Sequence, residues 1–187
     1  MDIVNIGLQI ILCIFIADFL TGLFHWLEDT YGTKTTPFIA ESIILPNIDH
    51  HRNPSALAEN GNFFTRTRTS FYVSIPFLLM FYWHNMLTWQ VGLTAFLTCL
   101  GNEFHAITHG AYKGNKVLAF LKKQRIIQTP KHHAKHHVPP FDRDFCVLTN
   151  FVNPVLEKIK FWRILELFIG VIFGVSPKRM TAERDYL

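Results

Sequence analysis

Residues 3–24 read IVNIGLQIILCIFIADFLTGLF, 22 positions interrupted by only three strongly polar side chains, Asn5, Gln9 and Asp18. As a helix rising about 1.5 Å per residue, the stretch reaches across the roughly 30 Å of a bilayer's hydrocarbon core. That reading decides the fold class: helical, and built in a membrane. No basic segment or small-residue cleavage site precedes the run, so it is expected to be a retained helix and not a signal peptide. Asp18 is ionisable at spanning depth and is a candidate functional group, weighed against a simple interhelical hydrogen bond, for instance with Thr21.

Composition agrees. The chain has 187 residues, suited to a single domain over 1–187; 49% of it is hydrophobic, 18 residues are Phe, and mean hydropathy is positive. The net charge of +4 and pI near 9.0 fit basic loops lying on an anionic leaflet better than nucleic-acid binding. Cys13 and Cys99 lie inside apolar runs and Cys146 is isolated, which suggests neither a disulfide framework nor a zinc ribbon.

Two further spans are expected. Residues 70–83 are apolar with Pro76 inside, and the helix reaches spanning length if it begins near Thr65, with Arg66 and Arg68 snorkelling to the interface. A hairpin at His84-Asn85 leads into an apolar run over 86–108. Residues 111–128 interleave Lys and Arg with Val, Leu, Phe and Ile, the pattern of an interfacial amphipathic helix. Residues 145–152 are expected to be extended, and Asn153-Pro154 to open a last helix. Its apolar part, about 161–175, is short for a crossing and suits an embedded or re-entrant helix. The expected fold is therefore all-α: transmembrane helices at about 3–24, 66–83 and 86–108, a fourth embedded helix, and a cap of interfacial helices.

The chemistry concentrates in TPKHHAKHHVPP, residues 129–140. Thr129-Pro130 is a helix-starting pair, and the residue before Pro139 is pushed out of helical conformation, so His132, His133, His136 and His137 are expected on about two turns. His132/His136 and His133/His137 are then i,i+4 pairs that can reach metal ions, against the plainer reading of a His-rich solvated turn. His105 and His109 repeat that spacing, with Asn102 on the same face. The adjacent His50 and His51 would bind different metals more easily than one.

Basic residues fall between 25 and 69 and after 110, with none in the 83–90 hairpin. The positive-inside rule then faces both basic regions to the cytoplasm. His25, His50, His51, His105, His109, His132, His133, His136 and His137 thus share one side of the membrane, and His84 alone lies on the other. Nine imidazoles exceed the ligand number of one ion and suit two. Ligand type leaves a dizinc hydrolase open. Location at the mouth of apolar helices favours a redox pair, since a threaded lipid chain offers only C–H bonds, which require O₂ activated by iron.

GLFHWLEDTYG (22–32), DHHRNP (49–54), NEFHAITH (102–109) and TPKHHAKHHVPP followed by DFCVLTNFVNPVLEKIKFWRILE (144–166) resemble the Kua-type lipid desaturase family over nearly the whole chain. Its branches include the plasmanylethanolamine desaturases and their bacterial and plant plastid relatives. The resemblance implies a diiron membrane oxidoreductase that uses O₂ and two electrons from a cytochrome b5 or ferredoxin to dehydrogenate a phospholipid chain. It also implies the nine histidines as metal ligands, with no catalytic group distinct from them, and Asp18 and Asn102 as supporting groups. Ile107 stands where animal and plant forms carry Trp, and no ubiquitin-conjugating-like extension is expected. The downstream segment is closer to the animal type, which favours an ether-linked chain and hence a plasmalogen product. The rivals are an acyl-chain desaturase, a diiron lipid hydroxylase and a non-enzymatic membrane metal or haem carrier, the last disfavoured by the one-sided histidines.

Overall fold

The computed structural model describes residues 2–59 and 61–178, and among these every regular element is helical. Helix α1 (Ile3–Tyr31) starts at Asp2, whose carboxylate accepts the Asn5 N–H at 2.8 Å. It runs a further two turns beyond the apolar stretch, which carries His25 and Asp29 on the same helix as the hydrophobic segment. A π-helical turn (Ala40–Ile44) passes directly into α2 (Leu45–Arg52), followed by the single turn α3 (Ala56–Glu59). Helix α4 (Phe63–Trp83) is opened by a reciprocal Asn62–Thr65 capping box.

The expected third helix is two helices, α5 (Trp89–Cys99) and α6 (Gly101–Thr108), separated at Leu100. The break sits where α6 meets α1: a Cβ on Gly101 would come within 2.8 Å of Thr21 Cγ2, so the close approach requires glycine. The interfacial stretch is helical only over α7 (Lys116–Lys123). The two turns expected after Thr129 shrink to one in α8 (Pro130–His133), capped by the Thr129 hydroxyl, and the next residues form tight turns. The expected last helix is likewise divided, into α9 (Val152–Lys158) and α10 (Phe161–Phe173), because Lys160 takes a left-handed conformation, φ 54°.

Among the described residues, α1 alone is both long and apolar enough to cross a bilayer, with a mean hydropathy of 2.3 over its best window. At 13 residues α10 extends only about 20 Å. Yet Ile75, Phe77 and Leu79 on α4 and Leu167, Val171 and Phe173 on α10 are all exposed, an apolar surface larger than water-facing helices normally carry.

What ties the helices together is the irregular segment 141–151, threaded along α1. Asp18 is fully buried and accepts three hydrogen bonds from it: Leu148 N–H at 2.8 Å, Thr149 N–H at 3.1 Å and the Thr149 hydroxyl at 2.6 Å. Gly22 lets the same segment lie against the helix, since a Cβ there would stand 2.5 Å from Cys146 Sγ. Asn153 closes the loop on itself, accepting the Cys146 N–H and donating to the Cys146 carbonyl, both at 2.9 Å. Around it pack Trp26, Phe145, Leu156 and Trp162, the aromatic core. Asp18→Ala leaves two buried N–H groups unpaired and is expected to lower stability by about 2–4 kcal/mol. Thermal denaturation of the purified variant checks this, and an unchanged midpoint would contradict the anchoring role.

Candidate metal centre

Helix α1 brings His25 and, one turn later, Asp29 to the end of its apolar stretch; α2 supplies His50 and His51; α6 and its cap supply His105 and His109; α8 and the following turn supply His133, His136 and His137. Their ligand-capable atoms fall into two adjoining groups. His50, His105, His109, His133 and His137 make one, and His25, Asp29, His51 and His136 the other, with atoms in each within 4.8 Å of one another. The adjacent His50 and His51 point about 100° apart around α2 and enter different groups. Ring centroids 5.3 Å apart for His25–His105 and 5.4 Å for His136–His137 set the groups side by side.

The five-histidine group is built of facing nitrogens. His105 Nε2 lies 2.7 Å from His133 Nε2, which lies 3.0 Å from His137 Nε2, which in turn lies 3.2 Å from His109 Nε2. In the other group, backbone carbonyls of the 141–151 segment set the ring orientations. His25 Nδ1–H donates to the Phe145 carbonyl at 3.1 Å, and His136 Nδ1–H to the Arg143 carbonyl at 2.8 Å. Both rings therefore turn a bare Nε2 inward, the arrangement by which outer hydrogen bonds fix a ligand's tautomer. Asp29 Oδ1 accepts from Asn47 Nδ2 at 2.6 Å and from His51 Nε2 at 3.1 Å, while Oδ2 faces His136 Nε2 at 3.3 Å and His25 Nε2 at 3.6 Å without hydrogen-bond geometry.

Eight buried polar atoms of the two groups consequently have no hydrogen-bond partner: His25 Nε2, Asp29 Oδ2, both nitrogens of His50, Nδ1 of His51, His133 and His137, and His136 Nε2. Burial, reinforced by neighbouring imidazoles, holds His50 and His133 far below the ordinary histidine range and His109 down to about 4. These three rings are neutral near neutral pH, with lone pairs available. Converging neutral imidazoles plus one carboxylate are a donor set for borderline divalent metals such as iron or zinc, so the residues present fit two ions.

Three expected site residues are placed elsewhere. His132 lies outside both groups, because α8 ends after one turn and the His132/His136 column is not maintained; its Nε2 is 3.6 Å from Asp144 Oδ1 and 3.5 Å from Asn153 Nδ2. Asp18 is occupied by the loop backbone. Asn102 donates to the Arg66 carbonyl at 3.2 Å, and Arg66 itself is paired with Glu103. His84 caps α4 and is exposed, remote from the cluster. Asp29 was not anticipated as part of the cluster. Its signal was available in HWLED, where it stands one helical turn from His25.

A cavity of about 550 Å³ adjoins the cluster, with His25, His50 and His105 in its wall together with Phe24, Val73 and Thr98. A helical frame thus encloses two adjoining, metal-capable histidine groups beside a cavity. Comparison with known proteins gives the family: the chain belongs to the lipid desaturase domain family, whose model matches residues 14–180, and it is an enzyme, an oxidoreductase. It is 31% identical over 185 residues to a probable fatty acid desaturase of Acanthamoeba polyphaga mimivirus, covering 95% of this chain and 89% of that one. It is 32% identical over 176 residues to mouse plasmanylethanolamine desaturase 1 (87% and 64%), and 25% identical over 170 residues to plasmanylethanolamine desaturase of Myxococcus xanthus (87% and 60%). The chain thus spans under two thirds of those last two relatives. No solved structure matches it significantly.

Two outcomes are expected. Elemental analysis of metal-loaded protein should find two ions per chain, retained in His132→Ala and His84→Ala and reduced in His133→Ala and His51→Ala; loss of metal in His132→Ala alone would refute the grouping. In the metal-free protein, imidazoles whose folded pKa lies below 6.5 bind fewer protons folded than unfolded, so stability is complete above pH 6.5 and falls towards pH 4. A thermal midpoint independent of pH between 6.5 and 5 would contradict this.

Proposed function

We propose that this protein is a multi-pass membrane desaturase that uses O₂ and a diiron centre to introduce a double bond near the glycerol end of a phospholipid chain. The favoured substrate is the 1-O-alkyl chain of an ether phospholipid, converted to the vinyl ether of a plasmalogen. The observation that carries the reading is the cavity beside both histidine groups, which gives an apolar chain a place to lie against the metal-capable cluster. The names of the mouse and Myxococcus relatives support the ether-lipid substrate, and the name of the viral relative keeps an acyl chain as the second reading.

In this reading the whole chain, 1–187, is one domain with spans at α1, α4 and α5–α6, α10 embedded, and the histidines facing the cytoplasm. His50, His105, His109, His133 and His137 would hold one iron, and His25, Asp29, His51 and His136 the other. When bound, the irons supply the activation of O₂ that C–H cleavage needs. In balance, –CH₂–CH₂– with O₂, two electrons and two protons gives –CH=CH– and two waters. The electrons come from an external carrier such as a cytochrome b5 or ferredoxin. The protein's own contribution is positional. The Phe145 and Arg143 carbonyls hold His25 and His136 in one tautomer, Asn47 orients Asp29, and the Trp26, Phe145 and Trp162 core keeps water from the inner side.

Purified iron-loaded protein given a reduced carrier, O₂ and an ether phospholipid should yield a product two hydrogens lighter, with an acid-labile chain. A product heavier by one oxygen would identify a hydroxylase, and unchanged ether and acyl lipids would refute the reading.

A further inference from the structure

The cavity beside the histidines shares Ser42, Ile43, Arg68, Thr69 and Val73 with a second cleft, between the π-helical turn and α4, whose wall Tyr72 completes. Both lips of this cleft adjoin exposed apolar residues. Phe71, Tyr72 and Ile75 follow directly on α4, and Phe38, entirely exposed, precedes the π-helical turn. Arg68 therefore stands on α4 between the buried Arg66 and Thr67 and the exposed apolar Phe71, Tyr72 and Ile75, the level at which a lipid's phosphate meets its chains.

The two arginines of this turn differ. Arg66 is buried and forms a two-pronged pair with Glu103 at 2.7 and 3.0 Å. Arg68 is exposed, lines both the cavity and the cleft, and has no ion pair among the described residues. A guanidinium at an apolar portal matches a phosphodiester in charge and hydrogen-bond geometry. We propose that the cleft between the π-helical turn and α4 is the lateral portal through which a phospholipid chain reaches the cavity, and that Arg68 at its lip holds the lipid's phosphate. This rests on the desaturase reading and deepens it: an anchor at the portal fixes the glycerol end of the chain relative to the histidines, so that the same carbons are presented for reaction each time.

The test uses the full chain in detergent micelles with two fluorescent probes, a 1-O-alkyl glycerophospholipid and the matching 1-O-alkyl-2-acylglycerol without phosphate. Arg68→Gln is expected to weaken phospholipid binding about tenfold, the loss of one charge-assisted contact, and to leave the phosphate-free lipid unaffected, with Arg68→Lys recovering most of the loss. Inorganic phosphate should not displace the phospholipid; displacement would assign Arg68 to a free anion and overturn the proposal. Ser42→Trp, which narrows the cleft, should weaken both lipids while helical content and bound iron stay at wild-type levels. Wild-type phospholipid affinity in Arg68→Gln, or in Ser42→Trp, overturns the portal and leaves the desaturase reading standing. Failure of the wild-type protein to bind either lipid removes both.

Discussion

A buried imidazole nitrogen needs a partner, either a proton shared with a neighbour or a cation. Here a run of imidazole nitrogens approaches to 2.7, 3.0 and 3.2 Å, and eight buried polar atoms of the cluster lack partners. Each would cost roughly 1–3 kcal/mol in an ordinary core. The donor set fits cations placed among the nitrogens, and most of the fold can be understood as the means of holding those nitrogens in place.

The device that does so is the irregular segment 141–151. It carries no regular secondary structure of its own, yet its backbone is fixed from Cys146 to Thr149, by Asn153 on α9 and by Asp18 and Thr21 on α1. So anchored, it turns two carbonyls towards His25 and His136 and sets their free nitrogens inward. Asp18 thus acts on the site from a distance, through the backbone it holds. The same anchoring brings Phe145 between the histidines and the Trp26–Trp162 pair, joining the metal-capable cluster to the aromatic core.

Much of this was legible in the sequence. The 22-residue apolar run, the helix-starting pair Thr129-Pro130 and the histidine spacings located the first helix and the cluster. What was not legible depended on tertiary contact. The break at Leu100 follows from the packing of Gly101 against Thr21, and the one-turn α8 parts His132 from His136 despite their i,i+4 spacing. Asp29 escaped notice because a carboxylate after a span reads as an ordinary interfacial charge until α2 folds back to bring Asn47 and His51 onto it. The role of Asp18 could be narrowed only to a choice, and its three partners, some 130 residues away, are invisible to local pattern.

The site gathers nine side chains from four stretches of sequence beside a cavity, on a helical frame with an exposed apolar surface. The central claim is that two metal ions occupy the two groups. An anomalous difference map at the iron edge, from crystals of the iron-loaded protein, tests it most directly. The account predicts two peaks, one among His50, His105, His109, His133 and His137 and one among His25, Asp29, His51 and His136. A single peak, or a peak coordinated by His132, would contradict it.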